Sequence, residues 1–331
     1  MFRSIRIFIA AVAALSAGRA DAQSCSGGTA ARDACRKMID LVNFLSPQYA
    51  AALVGGNPTM SQSGSLGGRG KFAVDVRSTR VIGELPMIGS QGFSTGGESQ
   101  GTYASQSTLI PALSVDVSFG VFRGLGFGDT HVGGIDGLLT ATYMSQLSNS
   151  SVNVALEGSN TNFGFGGRVG VLEETQFLPG IAVSYVHRDM ARLAVTGTTT
   201  QGNGVTVVGG TVTGNSLLVS ANSMRLTAGK RFGFIDLSGG VGQDKYVSSA
   251  NVNATVTAIP PVGTQTSSGI AAFQMTRSNL FAGGALNLGV FKFVGEYGVA
   301  SGGTAPTAVN TFGSAPTKAR SYFTIAARIG F

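Results

Sequence analysis

The sequence predicts an all-β fold: a transmembrane, antiparallel, up-and-down β-barrel of about ten strands, preceded by a short N-terminal helical segment. Three observations carry this expectation. The final stretch, Arg320 to Phe331, alternates apolar and polar residues strictly. The same alternation recurs upstream, with no charge on the apolar parity. Composition agrees, because glycine is abundant (50 residues), charge is sparse (12%) and tryptophan is absent, unlike a helical soluble enzyme.

The first element in chain order is a leader. Arg3 and Arg6 precede an apolar run from Ile7 to Leu15, and Ala20-Asp21-Ala22 stands before Gln23. This reads as a signal peptide over residues 1–22, implying export through the inner membrane to the outer membrane of a Gram-negative bacterium. The run is much shorter than the roughly 20 residues of a spanning helix. Cys25 lies close to the cleavage site, but Ala22 occupies the position where lipidation favours leucine. Cys25 and Cys35, the only cysteines, are therefore expected to form one disulfide in an oxidising compartment. Neither has a histidine nearby, so no metal site is expected.

Residues 23–69 come next. Cys35, Met38, Ile39 and Val42 recur at helical spacing between Ala30 and Leu45, and Ser46-Pro47 suits the start of a second short helix ending near Gly55-Gly56. The segment is either a plug in the barrel or a periplasmic helix beneath it, stapled by Cys25 and Cys35.

The barrel is expected over residues 70–331. A spanning strand needs about 9–11 residues whose side chains alternate between lipid and lumen. Outward sets read Phe72, Val74, Val76; Leu113, Val115, Val117, Phe119; Ile135, Leu139, Tyr143; Phe163, Phe165, Val169; and Ile181, Val183, Tyr185. They continue with Met224, Leu226; Ile235, Leu237, Val241; Leu280, Leu286, Leu288; Phe291, Phe293, Tyr297; and Phe323, Ile325, Ile329, Phe331. The opposite parity carries Asp75, Arg77, Asp116, Asp136, Arg168, Arg225, Asp236, Asp244, Lys292, Glu296 and Arg328. A Lys or Arg facing mid-bilayer lipid costs about 2–4 kcal/mol, so this segregation fits a barrel and assigns those charges to the lumen.

Connections alternate in length. Arg123 to Gly133, Glu173 to Pro179, Gly233-Phe234 and Gly289-Val290 are short enough for periplasmic turns, whereas Gly83 to Thr108, Leu193 to Asn215, Val247 to Ile270 and Ser301 to Lys318 are long outer links. Counts of eight, twelve or fourteen strands stay open, since Gly83 to Thr108 and Val205 to Thr213 have room for more. Phe and Tyr gather near the inferred strand ends, as expected of interfacial girdles.

Two resemblances follow from these residues. Phe323, Ile325, Ile329 and Phe331 resemble the C-terminal signature by which outer-membrane proteins are taken up by the barrel-assembly machinery. The segment holding Asn57-Pro58-Thr59 resembles the N-terminus of the long-chain fatty acid transporter family. That resemblance implies a plug containing Asn57 and Pro58 inside a larger barrel, and transport of a small hydrophobic ligand.

The chemistry-bearing residues give no catalytic set. His187, Arg188 and Asp189 adjoin, but strand neighbours point to opposite faces, so an interfacial role beside lipid headgroups is expected for His187, Arg188 and Arg192. No enzyme activity, cofactor or nucleic-acid partner is expected, since the basic residues are scattered. The mixed lumen charges argue for internal pairing rather than a single-sign selectivity ring. Two functional expectations remain: a narrow channel or transporter for small hydrophobic molecules gated by the N-terminal segment, and a structural or adhesin-like barrel without a conducting pore.

Overall fold

The computed structural model describes residues 25–87, 93–97, 99–150, 152–157, 161–190, 192–199, 202–203, 207–261, 263–303, 309–313 and 318–331. The expected leader, residues 1–22, lies outside them.

Ten strands form the wall: β1 (Phe72–Pro86), β2 (Ser105–Phe122), β3 (Gly134–Met144), β4 (Thr161–Leu172), β5 (Gly180–Asp189), β6 (Val207–Phe232), β7 (Ile235–Ala258), β8 (Thr264–Leu288), β9 (Phe291–Ala300) and β10 (Arg320–Gly330). Each pairs antiparallel with the next, and β10 returns to β1, closing a ring of the predicted strand number. Closure leaves no unpaired backbone edge for hydrocarbon to solvate. At the seam Phe72 and Phe331 exchange backbone hydrogen bonds, and their rings stand 5.2 Å apart. The described parts of 83–108 and 205–213 chiefly lengthen β1, β2 and β6; they add no wall strand.

Outward residues such as Val76, Leu139, Leu237 and Ile325 are about half exposed, making the apolar belt a lipid-facing surface requires. The alternation then reverses its sense. Along β7 the outward residues are Ile235, Leu237 and Val241 at one end and Ser249, Asn251, Asn253, Thr255 and Thr257 at the other. The inward residues change from Asp236 and Asp244 to Ala250, Val252, Ala254 and Val256. Strands β6, β7 and β8, at 26, 24 and 25 residues, thus continue beyond the belt as a water-facing sheet with an apolar interior. Leu193–Thr199 and Val152–Leu156 widen this sheet along β6.

One helix, α1 (Thr29–Val54), occupies that interior, with 23 of its 26 residues buried. At 1.5 Å per residue it is about 39 Å long, enough to run most of the barrel. The sequence predicts a break at Ser46-Pro47; the structure instead carries the helix through Pro47. A proline removes one helical hydrogen bond, at a cost of about 3 kcal/mol. Here Ser46 Oγ donates to Val42 O (2.6 Å), Gln48 Nε2 donates to Phe44 O (3.0 Å), and the surrounding wall confines both halves to one axis.

The N-terminal end of α1 lies at the long-link end. Cys25–Gly27 pairs with β8 at Ser267 to Gly269. The chain leaves α1 through Gly55 and passes towards the short-turn end, where Ser63 and Ser65 lie against Gly180 and Gly170. A Cβ on Gly180 would meet Ser63 Oγ at 2.7 Å, and one on Gly170 would meet Ser65 N at 2.7 Å, so these inward glycines make room for the passing chain.

Candidate functional site: the lumen plug and its anchors

An α-helix ends with unpaired carbonyls and a partial negative charge. The wall meets that end of α1 with two arginines. Arg225 Nη2 donates to Val54 O (3.0 Å), while Arg77 Nη1 donates to Gly55 O and to Gly56 O (3.2 Å). Each arginine is held by an aspartate: Arg77 Nε lies 2.7 Å from Asp116 Oδ2, and Arg225 Nη2 lies 3.2 Å from Asp244 Oδ1. Arg225 Nη1 also donates to Asn279 Oδ1 (2.7 Å) and to Tyr322 OH (3.2 Å).

The residues after the helix are gripped in the same way. Asn57 N donates to Glu296 Oε1 and Asn57 Nδ2 to Thr227 Oγ1, both at 3.2 Å. Arg328 Nε donates to Asp75 Oδ1 (2.6 Å), while its other nitrogens reach Pro58 O (3.3 Å) and Met60 O (3.0 Å). Asp136 receives Arg168 Nη2 (2.6 Å) and Leu66 N (3.0 Å). Nearer the mouth, Lys292 and Arg231 both contact Asp236. All eleven charges assigned to the lumen point inward, and five of them, Arg77, Asp136, Arg225, Glu296 and Arg328, also contact the plug. Breaking such a buried pair by removing one partner costs about 3–5 kcal/mol.

At the other end of the plug Cys25 and Cys35 form the expected disulfide. The remaining contacts there are ones that sequence reasoning missed, beginning with Ala30 N, which donates to Gln265 Oε1 (2.9 Å). Asp33 accepts from Lys37 Nζ (2.8 Å), Ser94 N (2.8 Å) and Ser99 N (2.7 Å). Asp40 Oδ2 accepts from Asn310 N and Asn310 Nδ2, both at 2.8 Å. The helix thereby ties down two outer links. Gln48 completes the docking: its Oε1 accepts from Glu84 N (2.7 Å) and its Nε2 donates to Glu84 O (3.1 Å). This amide replaces a neighbouring strand, because β10 pairs with β1 only as far as Val81. Asp33 and Asp40, the two carboxylates of a helix buried nearly throughout, are the sequence signal for these contacts.

Replacing Asp33 by alanine strips the acceptor from two backbone N–H groups, at a cost of about 1–3 kcal/mol. Limited proteolysis of the folded protein should then cut near residues 93–99 faster than in wild type, while cutting near the short turns stays the same. Equal cutting at 93–99 would show that the link is held by other contacts.

His187 faces outward as expected, with Nδ1 2.9 Å from Asn222 Oδ1 and Nε2 3.3 Å from Asp189 Oδ2. Arg188 corrects the interfacial expectation, because it points inward and is 1% exposed. Arg192 is exposed. His131 lies in a short turn with Nδ1 3.3 Å from Glu173 Oε2. Among the described residues no cluster of His, Cys, Asp and Glu has the arrangement of a metal site. A cavity of about 470 Å³ opens at the short-turn end, lined by residues 61–67 and by Lys71, Arg123, Glu173, Lys230 and Asp236 among others.

No protein-family model and no curated protein matches the chain. Solved structures overlap it at low identity. The translocator domain of the autotransporter NalP from Neisseria meningitidis covers 92% of this chain and 99% of its own, at 8% identity and a TM-score of 0.34. The attachment invasion locus protein Ail of Yersinia pestis covers 80% and 99%, at 10% identity and a TM-score of 0.26. An outer membrane channel from Pseudomonas putida F1 covers 82% and 98%, at 7% identity and a TM-score of 0.31. These overlaps are too distant to assign a role. The class rests on the closed ring, the apolar belt and the polar lumen, which define a transmembrane β-barrel of the outer-membrane type. Within that class this chain is a barrel filled by its own N-terminal helix.

Proposed function

We propose that this protein is an outer-membrane barrel whose resting state does not conduct and whose working surface is the extended sheet above the membrane. The short turns then face the periplasm. One observation carries the reading: α1 is buried along nearly its whole length and held at both ends, so it belongs to the core of the barrel. The partners on this reading are outer-membrane lipid, the assembly machinery reading Phe331, and whatever meets the uncharged outer face of β6 to β8.

A second reading is gated passage of a small hydrophobic molecule. It is favoured by the apolar wall around α1, including Val81, Ile110, Met144, Val219 and Phe273. Moving the helix would expose that wall as a greasy conduit above the charged layer. Conductance in planar bilayers separates the two readings. The intact protein is expected to be silent, and so is a variant lacking residues 25–60 if the barrel is structural. A large conductance rise on deletion, together with discrete openings of the intact protein, would favour gating and overturn the first reading.

A further inference from the structure

Arg188 is an inward arginine whose position neither the plug nor a salt bridge explains among the described residues. It is 1% exposed, and among the described residues it makes no hydrogen bond or ion pair. Nε and Nη2 carry three N–H groups buried without an acceptor, at a cost of several kcal/mol, so something must meet them. The two aspartates nearest to it electrostatically, Asp116 and Asp244, are already engaged by Arg77 and Arg225.

The geometry of the open donors is specific. Nε and Nη2 are the two nitrogens left without a partner. They lie on one edge of the guanidinium plane and point the same way, the fork with which arginine grips an anion. The flanking wall is small: the cross-strand neighbours of Arg188 are Gly164 and Ala221. Its stem crosses Gly164, where an added Cβ would meet Arg188 Cγ at 2.8 Å and Thr140 Cγ2 at 2.6 Å.

Asp75, Asp116, Asp136 and Asp244 are each engaged by one arginine, and Glu296 is held by Asn57 N and Tyr322 OH, so no carboxylate pairs directly with Arg188. We propose that the Nε/Nη2 fork of Arg188 holds a small monovalent anion of the halide class inside the barrel. One small anion is enough to occupy the open fork. A larger polyanion would bring charge that Asp116 and Asp244 oppose.

Crystals of the full chain grown in sodium bromide test this by anomalous scattering, with a peak expected at the fork. Thermal unfolding at matched ionic strength in sodium bromide and in sodium gluconate gives the solution counterpart, with a rise in Tm in bromide on the order of 2–4 °C. Arg188→Lys keeps the charge but loses the fork, so it should fold and lose both the peak and the bromide effect. Arg188→Met should also lose them, and Arg231→Ala should retain both. Density that refines as water with no anomalous signal would overturn the proposal. A peak that persists in Arg188→Lys, or that appears without any Tm effect, would mean an adventitious ion only and would equally overturn it.

Discussion

Replacing Arg225 by alanine should destabilise the protein by about 3–5 kcal/mol, the largest effect expected of any lumen substitution. The guanidinium touches Val54 O, Asp244, Asn279 Oδ1 and Tyr322 OH, so its loss strands a buried carboxylate and releases the end of the plug together. The measurement is the denaturant midpoint followed by the gel-mobility shift between folded and unfolded barrel. Removing Asp244 as well should recover part of the loss, because two apolar replacements leave no uncompensated charge. Arg225→Lys should rescue only partly, since one ammonium cannot span acceptors that the planar fork reaches together. Arg231→Ala is the control: that side chain is 57% exposed, and its ion pair with Asp236 should contribute less than about 1 kcal/mol. Equal losses for Arg225 and Arg231 would show that the plug anchor is not the stabilising feature.

Much of this architecture is legible in the sequence, because a barrel wall is specified by local alternation. The parity that sets Asp75 and Arg328 on the lumen side places them on paired strands, and the structure puts them 2.6 Å apart. What the alternation concealed is its own reversal. Near Val247 the outward residues become polar and the inward ones apolar, so the outer parts of β6 to β8 read as Ser- and Thr-rich loops when only the membrane rule is applied. Once above the belt the strand obeys the ordinary rule of a soluble sheet, with apolar residues facing the core that α1 supplies. Both senses of alternation are present in the sequence, and the alternation of Val205 to Thr213 already fits strands prolonged above the membrane.

The helix was harder to read for a different reason. Pro47 is a sound local stop signal, and only the tertiary enclosure overrides it, by supplying the Gln48 contact to Glu84 and packing on every side. Arg188 sits at a strand end, a position that looks interfacial in sequence. Its parity, opposite to His187, already placed it inside.

The direction of α1 gives the sharpest topological expectation. Cys25–Gly27 pairs with β8 where that strand has left the apolar belt, and Gly55 lies among the charged residues of the membrane layer. The helix therefore runs from the long-link end inward, opposite to β1, and the chain reverses through residues 57–71 before entering the wall. If the long links face outside, Cys25 also lies outside, although the chain reaches the membrane from the periplasm. The ring must then close around the segment, or the segment must pass through it before the arginines engage. An epitope placed immediately before Cys25 should bind antibody on intact cells, whereas one inserted in the short turn at Asp129 should bind only after the outer membrane is permeabilised. The expected difference is close to all-or-none. Staining of the Cys25 epitope only in permeabilised cells would place the helix the other way up, and with it the uncharged sheet of β6 to β8.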